Sequence, residues 1–178
     1  MKYFEELKRS MEWLGNKPDT LFIGQAVAYD GTAITNTLKG VNSDKLIEMP
    51  VNEDMQMGIT LGLALNGTVP ISIFPRWNFL LLGANQLVNH IDKINIMSKG
   101  GYTPKIIIRV SIGSQRPIHP QHQHISDFTA SFKGMCDFVD IIRLDEAHQI
   151  FSAYEHAYTR TDNRPTVLVE WGDYYNEK

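Results

Sequence analysis

The period of apolar and polar positions changes repeatedly along the chain, and each change marks a structural element. Phe4, Leu7, Met11 and Leu14 recur at intervals of three and four, which is the spacing of one face of an amphipathic helix. Lys17-Pro18-Asp19 interrupts that pattern. Residues 21–27 then run almost continuously apolar, as a buried strand does, into a Gly- and Thr-rich loop over 30–40. A short strand is predicted over 45–49, stopped by Pro50. Asn52 is placed to cap a helix whose first turn carries Glu53 and Asp54 and which ends at Gly67. Residues 69–74 predict a strand, 78–97 a long helix, and Gly100-Gly101 a turn. The alternation continues with a strand over 105–110, a polar loop over 111–126, a helical stretch and a strand over 139–144. A helix capped by Asp145 and running to Thr161, a last strand over 166–170 and a loose end over 173–178 complete the pattern.

Short Val/Ile/Leu-rich strands that alternate with helices predict the α/β class: a three-layer α/β/α sandwich around a mainly parallel sheet. The 178 residues fit one domain, at roughly 100–200 residues per domain. That domain is predicted over 1–172, followed by a tail over 173–178. The interior offers two further hints. Gly58 and Gly62 lie one helical turn apart, so another backbone can pack very close to that face. The first half of 78–97 is apolar nearly all round, as in a helix buried on two sides. Together they point to a subunit interface rather than to a deep monomer core.

Composition narrows the classes of function. Apolar residues make up 43% and charged residues 21%, which excludes disorder, and the single cysteine, Cys136, excludes an internal disulfide framework. Cys136 precedes an apolar strand and reads as a small core residue. A net charge of −3 supplies no electrostatic reason to bind nucleic acid or an anionic membrane. The densest apolar stretch, 79–88, is broken by Gly83, Asn85 and Gln86 and is too short to span a bilayer. The N-terminal residues are acidic and lack the apolar core of a signal peptide, so the expected location is the cytoplasm.

Standard catalytic motifs are absent: no Walker loop, no G-x-G-x-x-G after the first strand, no G-x-S-x-G and no C-x-x-C. His119, His122 and His124 crowd one loop, but a Pro-containing loop sets no common face for them and no Cys pair supports them, so no metal is expected. His90, His148 and His156 fall on predicted helices and read as solvated. Glu53 and Asp54 are adjacent and project about 100° apart on a helix, which suits two first-turn acids better than a shared-proton dyad.

A family resemblance changes the weight of these residues. The runs Gly24-Gln25-Ala26-Val27-Ala28-Tyr29-Asp30-Gly31, Met49-Pro50-Val51-Asn52-Glu53 and Gly58-Ile59-Thr60-Leu61-Gly62 resemble the pyrimidine-binding domain of thiamine-diphosphate enzymes. The likeness is strongest to the beta subunit of pyruvate dehydrogenase-type 2-oxo acid decarboxylases. It continues colinearly through Pro70-Ile71-Ser72-Ile73-Phe74, Trp77-Asn78-Phe79, Gln86-Leu87-Val88-Asn89, Met97-Ser98-Lys99-Gly100-Gly101, Arg109 and Gln121-His122. The resemblance implies that Glu53 hydrogen-bonds the aminopyrimidine ring nitrogen and so activates the cofactor to attack a ketone or 2-oxo acid carbonyl. It implies that Phe79 stacks on the pyrimidine, that Gln25 borders the cofactor where the family usually has an acid, and that His122 faces the substrate as a proton donor or carboxylate-orienting group. His119 and His124, where the dehydrogenase pattern has small or uncharged residues, become candidate substrate contacts, and Asn85 stands where an Asp precedes Gln.

The family holds diphosphate and magnesium through a G-D-G motif, and none occurs here; Tyr29-Asp30-Gly31 and Gly172-Asp173-Tyr174 both depart from it. The resemblance therefore implies a diphosphate-binding partner subunit carrying G-D-G and the magnesium, with the thiamine diphosphate shared between the two chains. It further implies an alpha2beta2 assembly that is not active from this chain alone. The expected function is the pyrimidine-binding half of a split enzyme for decarboxylation of a 2-oxo acid or two-carbon transfer from a ketose. The alternative is a non-catalytic interaction or regulatory subunit that keeps the fold.

Overall fold

The computed structural model describes residues 2–175 and holds a six-stranded, all-parallel sheet. Its strands are β1 (Thr20–Gly24), β2 (Leu46–Glu48), β3 (Val69–Phe74), β4 (Ile107–Ile112), β5 (Asp140–Arg143) and β6 (Thr166–Trp171), in the order β2-β1-β3-β4-β6-β5. The helices are α1 (Tyr3–Gly15), α2 (Ala33–Asn36), α3 (Glu53–Leu65), α4 (Trp77–Leu80), α5 (Ile94–Met97), α6 (Thr129–Met135) and α7 (Ala147–Thr159).

Successive strand residues point to opposite faces, and both faces are covered. Phe22, Ile71, Ile73, Ile107 and Leu168 pack under α1 and α7, against Leu7, Met11, Leu14, Ile150 and Tyr154. Phe74, Ile108, Val110, Val167 and Val169 pack on the other side against Met57, Trp77, Leu80 and Phe132. Each large apolar side chain buried this way contributes about 1.5–3 kcal/mol, which makes these two layers the main source of stability. The predicted three-layer α/β/α arrangement is the one observed.

Four local differences from the sequence reading have physical causes. β1 ends at Gly24 rather than Val27, because the Glu48 carboxylate at the end of β2 accepts the N–H groups of Ala26, Val27 and Ala28 at 2.6, 2.9 and 2.9 Å and bends the chain out of the sheet. The helix expected over 78–97 is broken into α4, a 3-10 turn, a π-helical stretch over Gln86–Ile91 and α5. α7 is capped by Glu146, in a capping box with Gln149, while Asp145 accepts from Arg143 and from the Trp171 indole. Residues 173–175 are packed rather than loose: Tyr175 is buried and its hydroxyl donates to Glu170. Residues 176–178 of the expected tail lie outside the described residues.

Asp92 shows how the irregular helix is tied down. Its buried carboxylate accepts the backbone N–H groups of Asp137, Phe138 and Val139 at 3.2, 2.8 and 2.8 Å and pairs with Lys93. Burial alone raises its pKa, but the Lys93 ammonium and the three N–H donors outweigh that and hold the carboxyl below its ordinary 3.8. A depressed carboxylate stabilises the fold above its unfolded pKa and loses that contribution as pH falls through the folded value. Asp92→Asn should therefore cost roughly 1–3 kcal/mol near neutrality, and the gap to wild type should close as the pH drops below about 4. Urea denaturation from pH 7 to pH 2 measures it; a gap that stays constant with pH contradicts the linkage.

Among the described residues, no helix is long and apolar enough to cross a membrane.

Candidate functional site

In an open parallel sheet a ligand crevice forms at the carboxyl edge where chain connections diverge to opposite sides. Here β1 is followed by β2 on one side and β3 by β4 on the other, which puts that divergence between β1 and β3. The floor of the crevice is tight. A Cβ on Gly24 would lie 2.5 Å from the Ile73 carbonyl oxygen, so only glycine fits at the end of β1. Gln25 follows at once, half-buried, on the loop that the Glu48 carboxylate holds in place.

α3 carries Glu53 to the same edge. Its N-cap Asn52 accepts the Met55 N–H at 2.9 Å, and one turn later the Gln56 amide donates to the Ile73 carbonyl at 3.0 Å, the Ser72 hydroxyl at 3.1 Å and the Ile23 carbonyl at 3.4 Å. These bonds pin the first turns of α3 across β1 and β3, with Glu53 toward the carboxyl ends of both strands. Glu53 is 4% exposed, yet no hydrogen bond or ion pair from the described residues engages its carboxylate. A carboxyl this buried normally acquires a partner, because burying an uncompensated charge costs several kcal/mol. Asp54, its neighbour, is exposed in the first turn, where its charge complements the helix dipole.

Gly83 sets the second wall. A Cβ there would approach Met57 Cγ to 2.8 Å and the Glu53 carbonyl oxygen to 3.2 Å, so the segment after α4 docks directly on the first turn of α3. That contact fixes Phe79, on α4, relative to Glu53. Phe79 is half-buried and its ring meets His124 at 5.4 Å between centroids. It also lines a cavity of about 340 Å³ with Thr32, Arg76, Ser111, Ser114 and Tyr175.

The three loop histidines divide. His124 is half-buried against Phe79 with its Nδ1 buried and unpartnered among the described residues. His122 is exposed on the same short turn, His122–His124. His119 is exposed and its Nδ1 accepts the Gln121 N–H at 3.1 Å. Among the described residues no three His, Cys, Asp or Glu side chains converge as metal ligands. His90, His148 and His156 are exposed. Cys136 is half-buried, and burial pushes its thiol up to about 12, so it is no nucleophile.

Sequence reading missed Glu48, which shapes the loop carrying Gln25; Gln56, which aims the first turns of α3; and Arg76, a cation in the cavity wall. Arg76 had a legible signal, since an arginine between Pro75 and Trp77 directly after a fully buried strand is out of place in a core. Glu48 and Gln56 had none, because their roles depend on which strands lie side by side.

The outer faces of these elements are apolar and uncovered. An added Cβ at Gly58 or Gly62 meets nothing within 4 Å. Met55, Ile59, Leu65, Leu81 and Leu82 are exposed beside them, Leu82 by 65%. Among the described residues, the glycine face of α3 has no partner.

Comparison with known proteins identifies the family and the fold. Residues 7–175 match the family described as "Transketolase, pyrimidine binding domain". The pyruvate dehydrogenase E1 component subunit beta of Ascaris suum is 33% identical over 132 residues, covering 72% of this chain and 34% of that protein. Its counterpart in Homo sapiens is 27% identical over 169 residues, covering 93% of this chain and 44% of that protein. The chain thus spans less than half the length of these two relatives. The solved structure titled "Split gene transketolase, inactive beta4 tetramer" shares the fold at a TM-score of 0.69 and 14% identity, over 94% of this chain and 50% of that one. Transketolase from Campylobacter jejuni does so at a TM-score of 0.69 over 94% of this chain and 25% of that one. With the match extending across nearly all the described residues, the chain belongs to the transketolase pyrimidine-binding domain family.

Proposed function

We propose that this chain is the pyrimidine-binding subunit of a split thiamine-diphosphate-dependent enzyme that acts on a 2-oxo acid or a ketose. One observation carries the reading: Glu53 is buried, without a hydrogen-bond or ion-pair partner among the described residues, at the sheet edge where this fold binds ligands. Such a carboxyl waits for a hydrogen-bonding group from a ligand, and an aminopyrimidine ring nitrogen is that group. The residues present fit the cofactor: a buried carboxyl to hold the ring nitrogen, the half-buried Phe79 ring to stack on it, and Gln25 beside them. When bound, thiamine diphosphate supplies a nucleophilic carbon for attack on a carbonyl.

The chain's own residues then have separable tasks. Glu53 holds and exchanges a proton at its carboxyl oxygen. Phe79 excludes water from one face of the pocket. His122 and His124 offer imidazole nitrogens to the substrate, His124 from beside Phe79 and His122 from the exposed end of the same turn. His119 stands further along that loop as a substrate contact.

In this reading the diphosphate and magnesium are held by a partner subunit carrying G-D-G, a motif that does not occur within these 178 residues. The partner covers the glycine face of α3 and the exposed leucines after α4, and two copies of each chain complete the assembly. Gly62→Leu tests this. An added side chain meets open space in the chain alone, so its melting temperature should hold or rise slightly, while assembly and thiamine-diphosphate uptake fail. Purification from native cells, with mass measurement and cofactor assay of wild type and variant, reads both. A variant that assembles and loads like wild type removes the partner from this face.

A further inference from the structure

We propose that Arg76 binds a second, non-reacting anionic group of the substrate, so that the enzyme selects substrates carrying a permanent anion remote from the carbonyl under attack. This rests on the cofactor reading of the neighbouring Phe79 and deepens it by naming the substrate class.

The cavity beside Phe79, about 340 Å³, is large enough for a small organic acid or sugar ester, and its lining contains no acidic residue. The hydroxyls in its wall are already committed. Ser111 donates to the Pro75 carbonyl, Ser114 to the Arg116 carbonyl at 3.0 Å, Tyr175 to Glu170, and the Thr32 hydroxyl pairs with Thr35. Asp173, the nearest carboxylate behind Gly113, accepts the Gln115 and Arg116 N–H groups at 2.8 and 3.3 Å. Arg76 is half-buried and has neither a carboxylate nor a hydrogen-bond partner among the described residues. Burial without a partner lowers its pKa, although the guanidinium stays charged. It contrasts with the fully buried Arg109, which is paired with Glu170. A desolvated guanidinium fork with nothing to grip is a receptor for carboxylate or phosphate.

Transition-state logic selects which anion. When a 2-oxo acid loses carbon dioxide, the charge on its carboxylate disperses. A guanidinium locked onto that carboxylate would stabilise the ground state more than the transition state and slow the reaction. A spectator anion keeps its charge throughout, so binding it anchors the substrate without that penalty. Two sources share this chemistry: the distal carboxylate of a dicarboxylic 2-oxo acid, and the phosphate of a ketose phosphate.

Matched pairs distinguish them in the assembled, cofactor-loaded enzyme: 2-oxoglutarate against 2-oxopentanoate, and fructose 6-phosphate against fructose. The charged member of one pair should be preferred. Arg76→Gln should raise its KM roughly 100-fold, leave kcat within a few-fold, and leave the uncharged member unchanged; Arg76→Lys should restore part of the loss. A binding readout runs beside turnover: titration of the complex with glutarate or inorganic phosphate, followed at the Arg side-chain Nε resonances, should shift one resonance that Arg76→Gln removes. Anion binding that survives Arg76→Gln overturns the proposal, as does an equal loss on charged and uncharged substrates. Failure of the underlying cofactor reading looks different, because the complex then takes up no thiamine diphosphate whichever residue stands at 76.

Discussion

Glu53→Gln should lower turnover of the assembled enzyme by roughly 10³-fold, within the range for a positioned acid–base group, while assembly and cofactor uptake persist. Glutamine keeps the size and can still hydrogen-bond a ring nitrogen, but its amide cannot deliver or recover a proton at pH 7. Stability supplies the independent signature. Most buried carboxylates hold their fold together, so that neutralising one destabilises the protein; Glu53 has no partner among the described residues to lose. Glu53→Gln should therefore leave the melting temperature of the isolated chain unchanged, because no hydrogen bond or ion pair among the described residues is lost. Turnover of the complex and thermal denaturation of the chain, measured on the same variant, test both halves. Wild-type activity in Glu53→Gln would end the cofactor assignment and favour the interaction-subunit alternative. A large fall in melting temperature would instead assign the carboxylate to the fold.

Glu170→Gln is expected to produce the opposite pattern, costing about 3–5 kcal/mol of stability. Glu170 and Arg109 are both fully buried, on neighbouring strands where β4 pairs Arg109 with Leu168 of β6. The pair is bidentate, Arg109 Nε to Oε1 at 2.7 Å and Nη2 to Oε2 at 3.0 Å, and Arg109 Nη1 also donates to the Thr37 hydroxyl at 3.1 Å. Tyr154 and Tyr175 each donate a hydroxyl to the same carboxylate. Burial, with the negative charge of Glu170 behind it, pushes both tyrosine pKa values well above 10, so they remain donors at any working pH. Removing the negative charge leaves a desolvated guanidinium uncompensated and two buried hydroxyls without their charged acceptor. Replacing the pair together, Arg109→Met with Glu170→Gln, should recover much of the loss, since no lone charge is then left buried. Urea denaturation of the two single variants and the double variant measures the coupling. Additive single effects would show that the charges are not coupled through this contact.

These two glutamates show where sequence reading reaches its limit. Glu53 sits in a recognisable order of residues, so its importance was legible from Asn52, the capped helix start and the family resemblance. Its burial without a partner was not legible, because that depends on Gly83 and Met57 closing over the first turn of α3. Glu170 lies in a strand that reads simply as apolar, 61 positions from Arg109, and nothing local connects the two. The same distinction explains the helix over 78–97. Its apolar periodicity is real, but close packing at Gly83 and the i to i+5 bond from the Asp92 N–H to the Leu87 carbonyl break its regular ladder.

The sequence by itself determined the α/β class, the order of strands and helices, and the capped start that carries Glu53, because each follows from near-neighbour periodicity and capping chemistry. It also carried, through motif order, the expectation of Gln25, Phe79 and His122 as one site. Only the tertiary structure decided that β1 and β3 lie side by side, that Glu48 and Gln56 aim the loop and helix at their edge, that His124 rather than His122 touches Phe79, and that Arg76 is left without a counterion among the described residues. The physical reason is common to all four. Each depends on contacts between segments far apart in the chain, whose energy is set by sheet order and burial and leaves no periodic trace in the sequence.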